Sequence, residues 1–483
     1  MENENYFLEH FGQAKIPTEA KKHYEGIARF FRAFIYFEKI KRFGDVPWYN
    51  KTLNIGDPEL YKPRDKRTLV MDSVLADLNF ACENIRNTKD NSCSQITQWV
   101  ALAFKSKVCL FEGTFRKYHP ELNLGTYTKW LQEAANAAAA VRTSGKYTLN
   151  TSGDTKLNYR NLFISETPLN NEIILVYVCN KSLRVFNDAN WFYTSATYGN
   201  RISLTKTFAN TYLNIDGSRF TDQDEYNNIP FQQEVKNRDL RLQQTIRMGD
   251  YTREGQPAPP DFTYSYTGYQ PLKFTLDSKG TDGVAENYNS IPIIRYAEVL
   301  LNEAKAKAEL QTFTAADWNL TIKLLRQRAG ITNTAMPTTA DPYLMQQYFS
   351  DITDPVLLEI RRERSIELVL EGFRFYDLMR WNAGTLLEKS YIGLYVPKID
   401  DPIDLNEDGK PDVAFVKKTP ATKVPGVYYF LIDDDQSKLS EGTKGNLIWL
   451  DNISRKWEAY KYVYPIPYNE IVLNPALEQN AHW

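Results

Sequence analysis

Histidine and cysteine are scarce in this chain of 483 residues, which contains four of each. The histidines are scattered, and none of Cys82, Cys93, Cys109 and Cys179 belongs to a C-x-x-C pair. Zinc sites are built from these residue types at short spacings, so the sequence contains no recognisable zinc site. Cys82 and Cys93 flank a predicted loop between helices and fit either a disulfide bond or two buried thiols.

Long apolar runs and an excess of basic residues are also absent. No stretch approaches the roughly 18 apolar residues that a membrane-spanning helix requires. The formal net charge is −2 and there is no basic block, which argues against a nucleic-acid partner held by phosphate contacts. The chain opens at MENENYFLEHFG, which reads like the middle of a helix, so we expect an N-terminal portion with any targeting signal to lie outside this sequence.

Known catalytic motifs are missing as well. The sequence has no G-x-S-x-G, Walker loop, H-E-x-x-H or dinucleotide fingerprint. Asp and Glu total 60, but abundance alone does not place two carboxylates at the separation that glycoside hydrolysis requires. We therefore predict that the protein is not an enzyme, with a surface glycosidase as the weaker alternative.

Aromatic residues, in contrast, are abundant: 31 Tyr, 25 Phe and 9 Trp make up 13% of the chain. Each buried tyrosine hydroxyl needs a hydrogen-bond partner, so this much tyrosine exceeds what a core requires. Flat rings beside Asn, Ser and Thr suit sugars, although any single ring could instead pack beneath its own loop. The candidate ligand contacts fall in three clusters: Trp191, Tyr193 and Tyr198; Trp48 and Tyr49; and Tyr264, Tyr266 and Tyr269.

Helical periodicity comes in pairs along the chain. Residues 23–43 form an amphipathic pattern that stops at Gly44, and 97–113 and 127–143 form another pair. The segment NEIILVYV (171–178) is rich in β-branched residues and predicts a strand. We predict a mainly α fold, in which four tetratricopeptide-like helical hairpins form a scaffold and large loop-rich insertions contain short β-strands.

This pattern divides the chain into four predicted segments. The alternation suggests that the loops carry the function, because binding residues lie preferentially on loops held by a rigid frame. The segments are an N-terminal helical-hairpin half, 1–145; a loop-rich insertion and candidate ligand-binding face, 146–287; a C-terminal helical-hairpin half, 288–384; and a mixed C-terminal region with a possible calcium loop, 385–483.

Residues 357–381 combine an apolar helical pattern with many charges. Ile366, Val369, Leu370 and Phe373 have the spacing of one helix face. The charges around them lie at steps of three or four residues, where opposite signs can pair: Glu363, Glu367, Glu371, Arg374, Asp377 and Arg380. We interpret them as a structural network that fixes how helices meet, and not as an acid–base site.

The segment DLNEDGKPD (404–412) matches the start of a calcium-binding loop. Oxygen-bearing side chains alternate before a glycine that permits a tight turn, although the closing Glu of an EF-hand is absent. We predict a structural Ca²⁺ ion here, and the alternative is a solvated acidic turn. The predicted ligands are Asp404, Asn406, Asp408, the backbone carbonyl of Lys410, and Asp412.

Several segments together resemble one family. GIARFFRAFIYFEKIKRFGDVPW (26–48) is similar to the signature of the SusD/RagB family of outer-membrane nutrient-binding lipoproteins. The closing YPIPYNEIVLNPALEQN (464–480) resembles a further block of the same family. The remaining similar blocks follow in the family's order: 77–85, 171–177, 238–247, 294–310, 324–330 and 363–381.

The resemblance implies a function and a location. Family members are helical-pair scaffolds that capture oligosaccharides or polysaccharides, or peptides in some branches, without catalysis. They lie on the outer face of the outer membrane and deliver ligand to a SusC-like TonB-dependent transporter. Their contact with the membrane is an N-terminal lipid anchor, which this sequence does not contain. The ligand-binding loops vary most within the family, so no binding residue can be transferred by motif.

Overall fold

The computed structural model describes residues 2–195, 200–433 and 435–483, and this part of the chain is mainly helical with short strands. The prediction of a mainly α fold with short β-strands is confirmed. The α-helices are α1 Glu2–His10, α2 Thr18–Phe43, α3 Arg67–Asn84, α4 Gln98–Tyr118, α5 Thr128–Thr143, α6 Asn161–Ile164, α7 Ala189–Thr194, α8 Lys206–Ala209, α9 Phe231–Glu234, α10 Tyr296–Glu309, α11 Ala315–Leu320, α12 Ile322–Arg328, α13 Pro342–Gln347, α14 Pro355–Glu367, α15 Arg374–Arg380 and α16 Tyr468–Leu473.

The strands form small sheets. The predicted strand at 171–178 is present as β1, which pairs antiparallel with β4. The other sheets are β2–β3, β5–β10–β9 and β6–β7–β8, in which β7 and β8 run parallel. The strands are β1 Ile173–Tyr177, β2 Thr252–Arg253, β3 Gln256–Pro257, β4 Ile291–Arg295, β5 Tyr391–Val396, β6 Pro402–Ile403, β7 Val413–Val416, β8 Tyr428–Leu431, β9 Ser437–Leu439 and β10 Gly445–Trp449.

Small residues let consecutive helices approach closely. A Cβ atom added at Gly26 of α2 would lie 2.8 Å from Ile85, just beyond α3, and one at Gly113 of α4 would lie 2.8 Å from Leu131 of α5. Helix α4 begins where the Thr97 side chain caps the backbone N–H of Val100. The Thr97 cap therefore defines where α4 begins, and the glycines allow short distances between neighbouring helices.

One hydrophobic core joins helices from both halves of the chain. Its fully buried members include Leu78 of α3, Val108 of α4, Ala134 of α5, Leu300 of α10 and Ile360 of α14. A second core contains residues of the loop-rich insertion and of the C-terminal strands, such as Phe262, Leu394 and Phe415. The insertion is therefore anchored to the C-terminal region by its own apolar contacts.

The apolar pattern at 366–373 does not lie on one helix face. Helix α14 ends at Glu367, and Leu370 and Gly372 have φ angles of 64° and 80° before α15 begins at Arg374. A left-handed glycine terminates helices readily, because it has no Cβ to clash with the backbone. The expectation of a continuous face was wrong, since its last three apolar residues form a turn between two helices.

All four cysteines are free and buried, so Cys82 and Cys93 are separate thiols in this structure. Burial raises the pKa of the Cys82 thiol to about 12, and a thiol of this kind is unreactive at neutral pH. None of the described helices is both long and apolar enough to cross a membrane.

Candidate ligand-binding site

The aromatic pair after α2, Trp48 and Tyr49, makes contacts that stabilise its own loop. The Trp48 ring lies 4.3 Å from the Tyr36 ring and 5.3 Å from the Arg32 guanidinium carbon. The Tyr49 hydroxyl donates a hydrogen bond of 3.0 Å to the carbonyl of Glu59. Both rings are half-buried, so each leaves only part of its surface for a ligand.

The predicted cluster of Trp191, Tyr193 and Tyr198 is partly helical, whereas we expected a loop. Trp191 lies half-buried on α7, and Tyr193 of the same helix is 9% exposed. The Tyr193 ring lies nearly parallel to that of Phe274 at 6.5 Å, and burial raises the pKa of its hydroxyl to about 12. Tyr198 lies outside the described residues.

The three tyrosines of the third cluster have different surroundings. Tyr269 is fully buried and donates a hydrogen bond of 2.7 Å to Glu234, so it is a core residue with no surface to offer a ligand. Tyr266 stacks on Trp449 at 4.2 Å. Tyr264 is half-exposed and lines a surface pocket. The prediction for Tyr269 therefore needs correction, whereas Tyr264 keeps the position that we expected.

We call the pocket beside Tyr264 the arginine pocket. Its volume is about 600 Å³, within the range of roughly 300–1,000 Å³ that is usual for ligand pockets. It lies between the loop-rich insertion and the C-terminal region. Its lining consists of Arg247, Arg253, residues 256–264, Lys279, Asp282, Asp412 and residues 426–428.

A local turn presents the Tyr264 ring to the arginine pocket. The Asp261 side chain accepts a hydrogen bond of 2.8 Å from the N–H of Thr263, and its carbonyl accepts one of 3.0 Å from the N–H of Tyr264. Between them, Phe262 points inward and packs edge-on against Phe415 at 5.2 Å. The core therefore holds one ring of the segment while the turn exposes another.

An ion pair stiffens one wall of the arginine pocket. Arg253 donates hydrogen bonds to Asp282 at 2.7 Å and to the carbonyl of Ser278 at 3.0 Å. Asp282 also accepts a hydrogen bond of 2.9 Å from Asn190. Arg247 lines the same pocket at 6% exposure, and burial lowers the pKa of its guanidinium. The pocket thus combines a ring face with fixed donors and acceptors, the combination that orients a polar ligand.

A second pocket, of about 580 Å³, lies between the α7–α8 segment and the α14–α15 turn. Most of its wall is apolar, so it offers fewer groups that could orient sugar hydroxyls. Tyr193 lines this pocket and not the arginine pocket, so the predicted aromatic residues do not converge on one site. Its apolar lining residues include Phe192, Ile202, Leu204, Phe208, Phe373, Phe375, Leu386 and Leu387.

The charges of α14 form a buried network around Glu367. Glu367 pairs with Arg328, with Arg295 and, at 2.9 Å, with Arg241. These cations hold the pKa of Glu367 well below its ordinary value despite complete burial, which acts in the opposite direction. We call this set the Glu367 cluster; its further members are Glu172, Glu363, Glu371 and Lys273.

The members of the Glu367 cluster come from distant parts of the chain, which supports the structural interpretation of these charges. Asp377 and Arg380 pair within α15 at 2.8 Å, as their spacing suggested. Arg374 instead donates a hydrogen bond to the Ser365 side chain at 3.0 Å. A largely buried set of charges that are all paired has no free group for acid–base chemistry.

The predicted calcium loop is folded around the Asp404 carboxylate. The carboxylate accepts hydrogen bonds from the backbone N–H groups of Glu407 at 2.7 Å and Gly409 at 2.8 Å. The Asp408 side chain accepts one of 2.9 Å from the N–H of Lys410. Several oxygens predicted to bind a cation therefore accept backbone N–H groups, an arrangement that an acidic turn without metal also shows.

Two further predicted ligands belong to the same loop. Asn406 accepts a hydrogen bond from the N–H of Asp408 at 3.3 Å, and Asp412 accepts one from Leu405 at 2.8 Å. Burial and the charges of Asp404 and Asp408 raise the pKa of Asp412 to about 6. No group of three or more His, Cys, Asp or Glu within the described part of the chain is arranged to hold a metal ion. Calcium remains a prediction.

Sequence reasoning missed several residues that contribute to these surfaces. Arg247 ends the family-like block 238–247, in which no pattern marked it as a ligand contact. Tyr428 and Trp449 lie on strands β8 and β10, far along the chain from the aromatic loops. The proline-rich stretch at 256–260, next to DFTYSYTGY, was the signal that could have indicated a rigid pocket wall.

Comparison with known proteins gives consistent matches. The model of a family described as the SusD family matches residues 180–483. Two curated relatives from Formosa agariphila, SusD-like protein P38 and SusD-like protein P2, are 26% and 24% identical to this chain. These matches cover 79% and 74% of this chain, and 70% and 65% of the relatives' own lengths.

Solved structures share the fold. A SusD-like protein from Bacteroides fragilis has a TM-score of 0.70 at 22% identity, covering 100% of this chain and 84% of that protein. A SusD-like carbohydrate binding protein from the same species has a TM-score of 0.72 at 21% identity, covering 99% of this chain and 83% of that protein. At such identities the likeness establishes the architecture, and ligand contacts have to be argued from this chain's own residues.

Proposed function

The chain belongs to the SusD family, and on this premise we propose that it binds oligosaccharide or polysaccharide without cleaving it. The arginine pocket is the observation that carries this assignment, because a half-exposed ring and oriented polar groups meet there in an open cleft. The similar protein from Bacteroides fragilis that is described as carbohydrate binding is consistent with it.

In the proposed complex, a sugar ring packs its apolar face on Tyr264 and on the prolines of the pocket wall. Arg253 and Asp282 are held by each other, so their remaining lone pairs and N–H groups can meet sugar hydroxyls without further ordering. Tyr428, which is 39% exposed, gives a second aromatic edge to the cleft. Each contact is modest, and the selectivity comes from their sum.

We also propose that the protein acts at the surface of the outer membrane and delivers its ligand to a SusC-like TonB-dependent transporter. Family membership supports this part of the assignment. Co-purification with the transporter encoded beside its gene would test it, and two proteins that never co-elute under mild extraction would contradict it.

Affinity electrophoresis and isothermal titration with a panel of purified polysaccharides test the binding assignment. Tyr264→Ala should weaken binding about tenfold, since stacking on one ring contributes roughly 1 kcal/mol beyond its buried area. Tyr468→Ala removes a ring that is 78% exposed outside the pocket and serves as the matched control. If Tyr264→Ala binds like the wild type, the arginine pocket is not the site.

Two alternative functions, glycoside hydrolysis and peptide binding, can be tested with the same purified protein. Asp261, Asp282 and Asp412 line one pocket, so incubation with each bound polysaccharide should be followed by an assay for new reducing ends. We expect none, and sustained release of reducing ends would establish a glycosidase. Binding to a peptide library with no binding to any glycan would identify a peptide-binding member of the family.

A further inference from the structure

One arginine of the arginine pocket has no hydrogen-bonded partner in the described part of the chain. Arg247 is 6% exposed, and its Nε atom is enclosed without a hydrogen-bond acceptor. Its backbone N–H donates to the carbonyl of Gln270 at 2.9 Å, but its guanidinium forms no hydrogen bond or ion pair with any described residue. The nearest aromatic group is Tyr251, whose ring centre lies 5.9 Å from the guanidinium carbon.

Neighbouring arginines show what Arg247 lacks. Arg253, in the wall of the same pocket, pairs with Asp282 at 2.7 Å, and Arg160 pairs with Asp277 at 2.6 Å. A guanidinium keeps its proton in proteins, so it cannot escape burial by becoming neutral. An unpaired buried charge costs free energy, so its presence needs an explanation, and a ligand that brings the missing acceptor would supply one.

The carboxylates of the pocket already have other partners. Asp282 is bound to Arg253, Asp261 accepts the N–H of Thr263, and Asp412 accepts the N–H of Leu405. Asp261 and Asp282 lie close enough to favour the charge of Arg247 electrostatically, but neither forms a hydrogen bond with it. The other cation of the pocket is the exposed Lys279. Among the described residues, Arg247 is therefore the buried cation of this site whose guanidinium is left without an acceptor.

We propose that the arginine pocket takes an acidic glycan, whose carboxylate or sulfate group is bound by the Arg247 guanidinium while Tyr264 packs against a sugar ring. The planar fork of guanidinium N–H groups matches the two oxygens of a carboxylate or sulfate. The open side of the pocket lets a polymer continue in either direction beyond the charged residue. This inference rests on the proposed glycan-binding function and names its substrate class.

Matched polysaccharide pairs that differ in charge test the inference directly. Polygalacturonate is compared with its fully methyl-esterified form, and a sulfated galactan with its desulfated form, by isothermal titration at low salt. At least one anionic polymer should bind about tenfold more tightly than its neutral counterpart, as charge-assisted hydrogen bonds are stronger than neutral ones. The two pairs distinguish a carboxylate from a sulfate as the recognised group.

Substitutions distinguish recognition of the anionic group by Arg247 from non-specific attraction between the protein and a charged polymer. Arg247→Met should abolish the preference for the anionic polymer, and Arg247→Lys should restore part of it, because the charge returns without the fork. Lys456→Met removes an exposed cation elsewhere and should change nothing. Circular dichroism and melting temperature confirm that each variant is folded.

The possible results distinguish a failure of the acidic-glycan inference from a failure of the proposed glycan-binding function. Equal affinity for charged and neutral forms, or an Arg247→Met variant that keeps the preference, would overturn the acidic-glycan inference and leave the glycan-binding function intact. Binding to none of the four polymers nor to the wider polysaccharide panel would overturn both.

Discussion

The Glu367 cluster and the arginine pocket both bury arginine, but only one of them supplies every charge with a partner. Around Glu367, three arginines and several carboxylates from distant segments form closed pairs. In the pocket, Arg253 is paired while Arg247 is not. The first arrangement holds the fold together and the second leaves a position open for a ligand.

This difference shows how a buried charge can be assigned to structure or to binding. In a closed cluster, removing one member leaves its partners as uncompensated buried ions. In the open site, removing the lone ion relieves a desolvation cost that only a ligand offsets. The two regions should therefore respond to substitution in opposite directions.

The largest effect is expected in the closed cluster. Glu367→Gln keeps the side-chain shape but leaves Arg295 and Arg328 without their shared carboxylate. We expect the free energy of unfolding to fall by about 3–5 kcal/mol, as for other broken buried pairs, in denaturant titrations. The control Glu458→Gln, in an exposed pair, should leave the free energy of unfolding unchanged within experimental error. A similar small change for both variants would contradict a structural role of the cluster.

Acid should weaken a separate buried ion-pair group between α14 and α15, in which Asp377 pairs with Arg364 and Arg380. The cations Arg364 and Arg380 lower the pKa of Asp377 to about 2 from its ordinary 3.8, against the effect of burial. Because the unfolded chain takes up this proton first, the contribution of Asp377 is complete above pH 3.8 and is lost as pH falls towards 2. The denaturant concentration at the midpoint of unfolding, followed by fluorescence at a series of pH values, should fall steeply between pH 3.8 and 2. A profile that is flat between pH 4 and 2 would contradict it.

A pair of tyrosines sharpens the comparison between core and surface. Tyr269→Phe removes a buried hydroxyl that bonds Glu234, and we expect a loss of about 1–3 kcal/mol in the free energy of unfolding. Tyr264→Phe, five residues earlier in the same loop, should leave the free energy of unfolding within about 0.5 kcal/mol of the wild type. Equal losses in denaturant titrations would mean that Tyr264 also belongs to the core.

Trp191 offers a smaller test, because its ring is half-buried on α7 and lies outside the lining of the arginine pocket. If this ring contacts glycan, Trp191→Ala should weaken binding by a few-fold, up to about tenfold, with little change in melting temperature. A large fall in melting temperature with unaltered affinity would identify Trp191 as a packing residue.

The smallest effect concerns calcium. If Ca²⁺ binds the loop at 404–412, millimolar CaCl₂ should raise the melting temperature by a few degrees relative to EDTA, because binding to the folded state stabilises it. Asp408→Asn should remove this increase. Equal melting temperatures in CaCl₂ and EDTA would show that the loop is an acidic turn closed by its own backbone N–H groups.

Local patterns predicted the helical scaffold well. The apolar spacing of 23–43 and the stop at Gly44 correspond to the end of α2 at Phe43, and NEIILVYV is a strand. The break between α14 and α15 was missed, because Gly372 acts through a left-handed turn that apolar spacing does not reveal.

The candidate site was harder to predict, because its assembly depends on long-range partners. Three tyrosines in one short segment look alike in the sequence but have different surroundings. Tyr264 lines a pocket, Tyr266 stacks on Trp449, and Tyr269 donates a hydrogen bond to Glu234. In a segment without regular secondary structure, residue spacing does not predict which side chains are buried and which are exposed. An unpaired arginine likewise cannot be recognised until all its neighbours are known.

The most direct test of the account is the free energy of unfolding of Arg247→Met without ligand, measured by denaturant titration beside the wild type. For a buried guanidinium without a hydrogen-bonded partner, the cost of desolvation outweighs the attraction of the more distant carboxylates, so the variant should be as stable as the wild type or more stable. A loss of several kcal/mol, like that expected for Glu367→Gln, would show that Arg247 has a structural partner and would contradict its role as an open binding group.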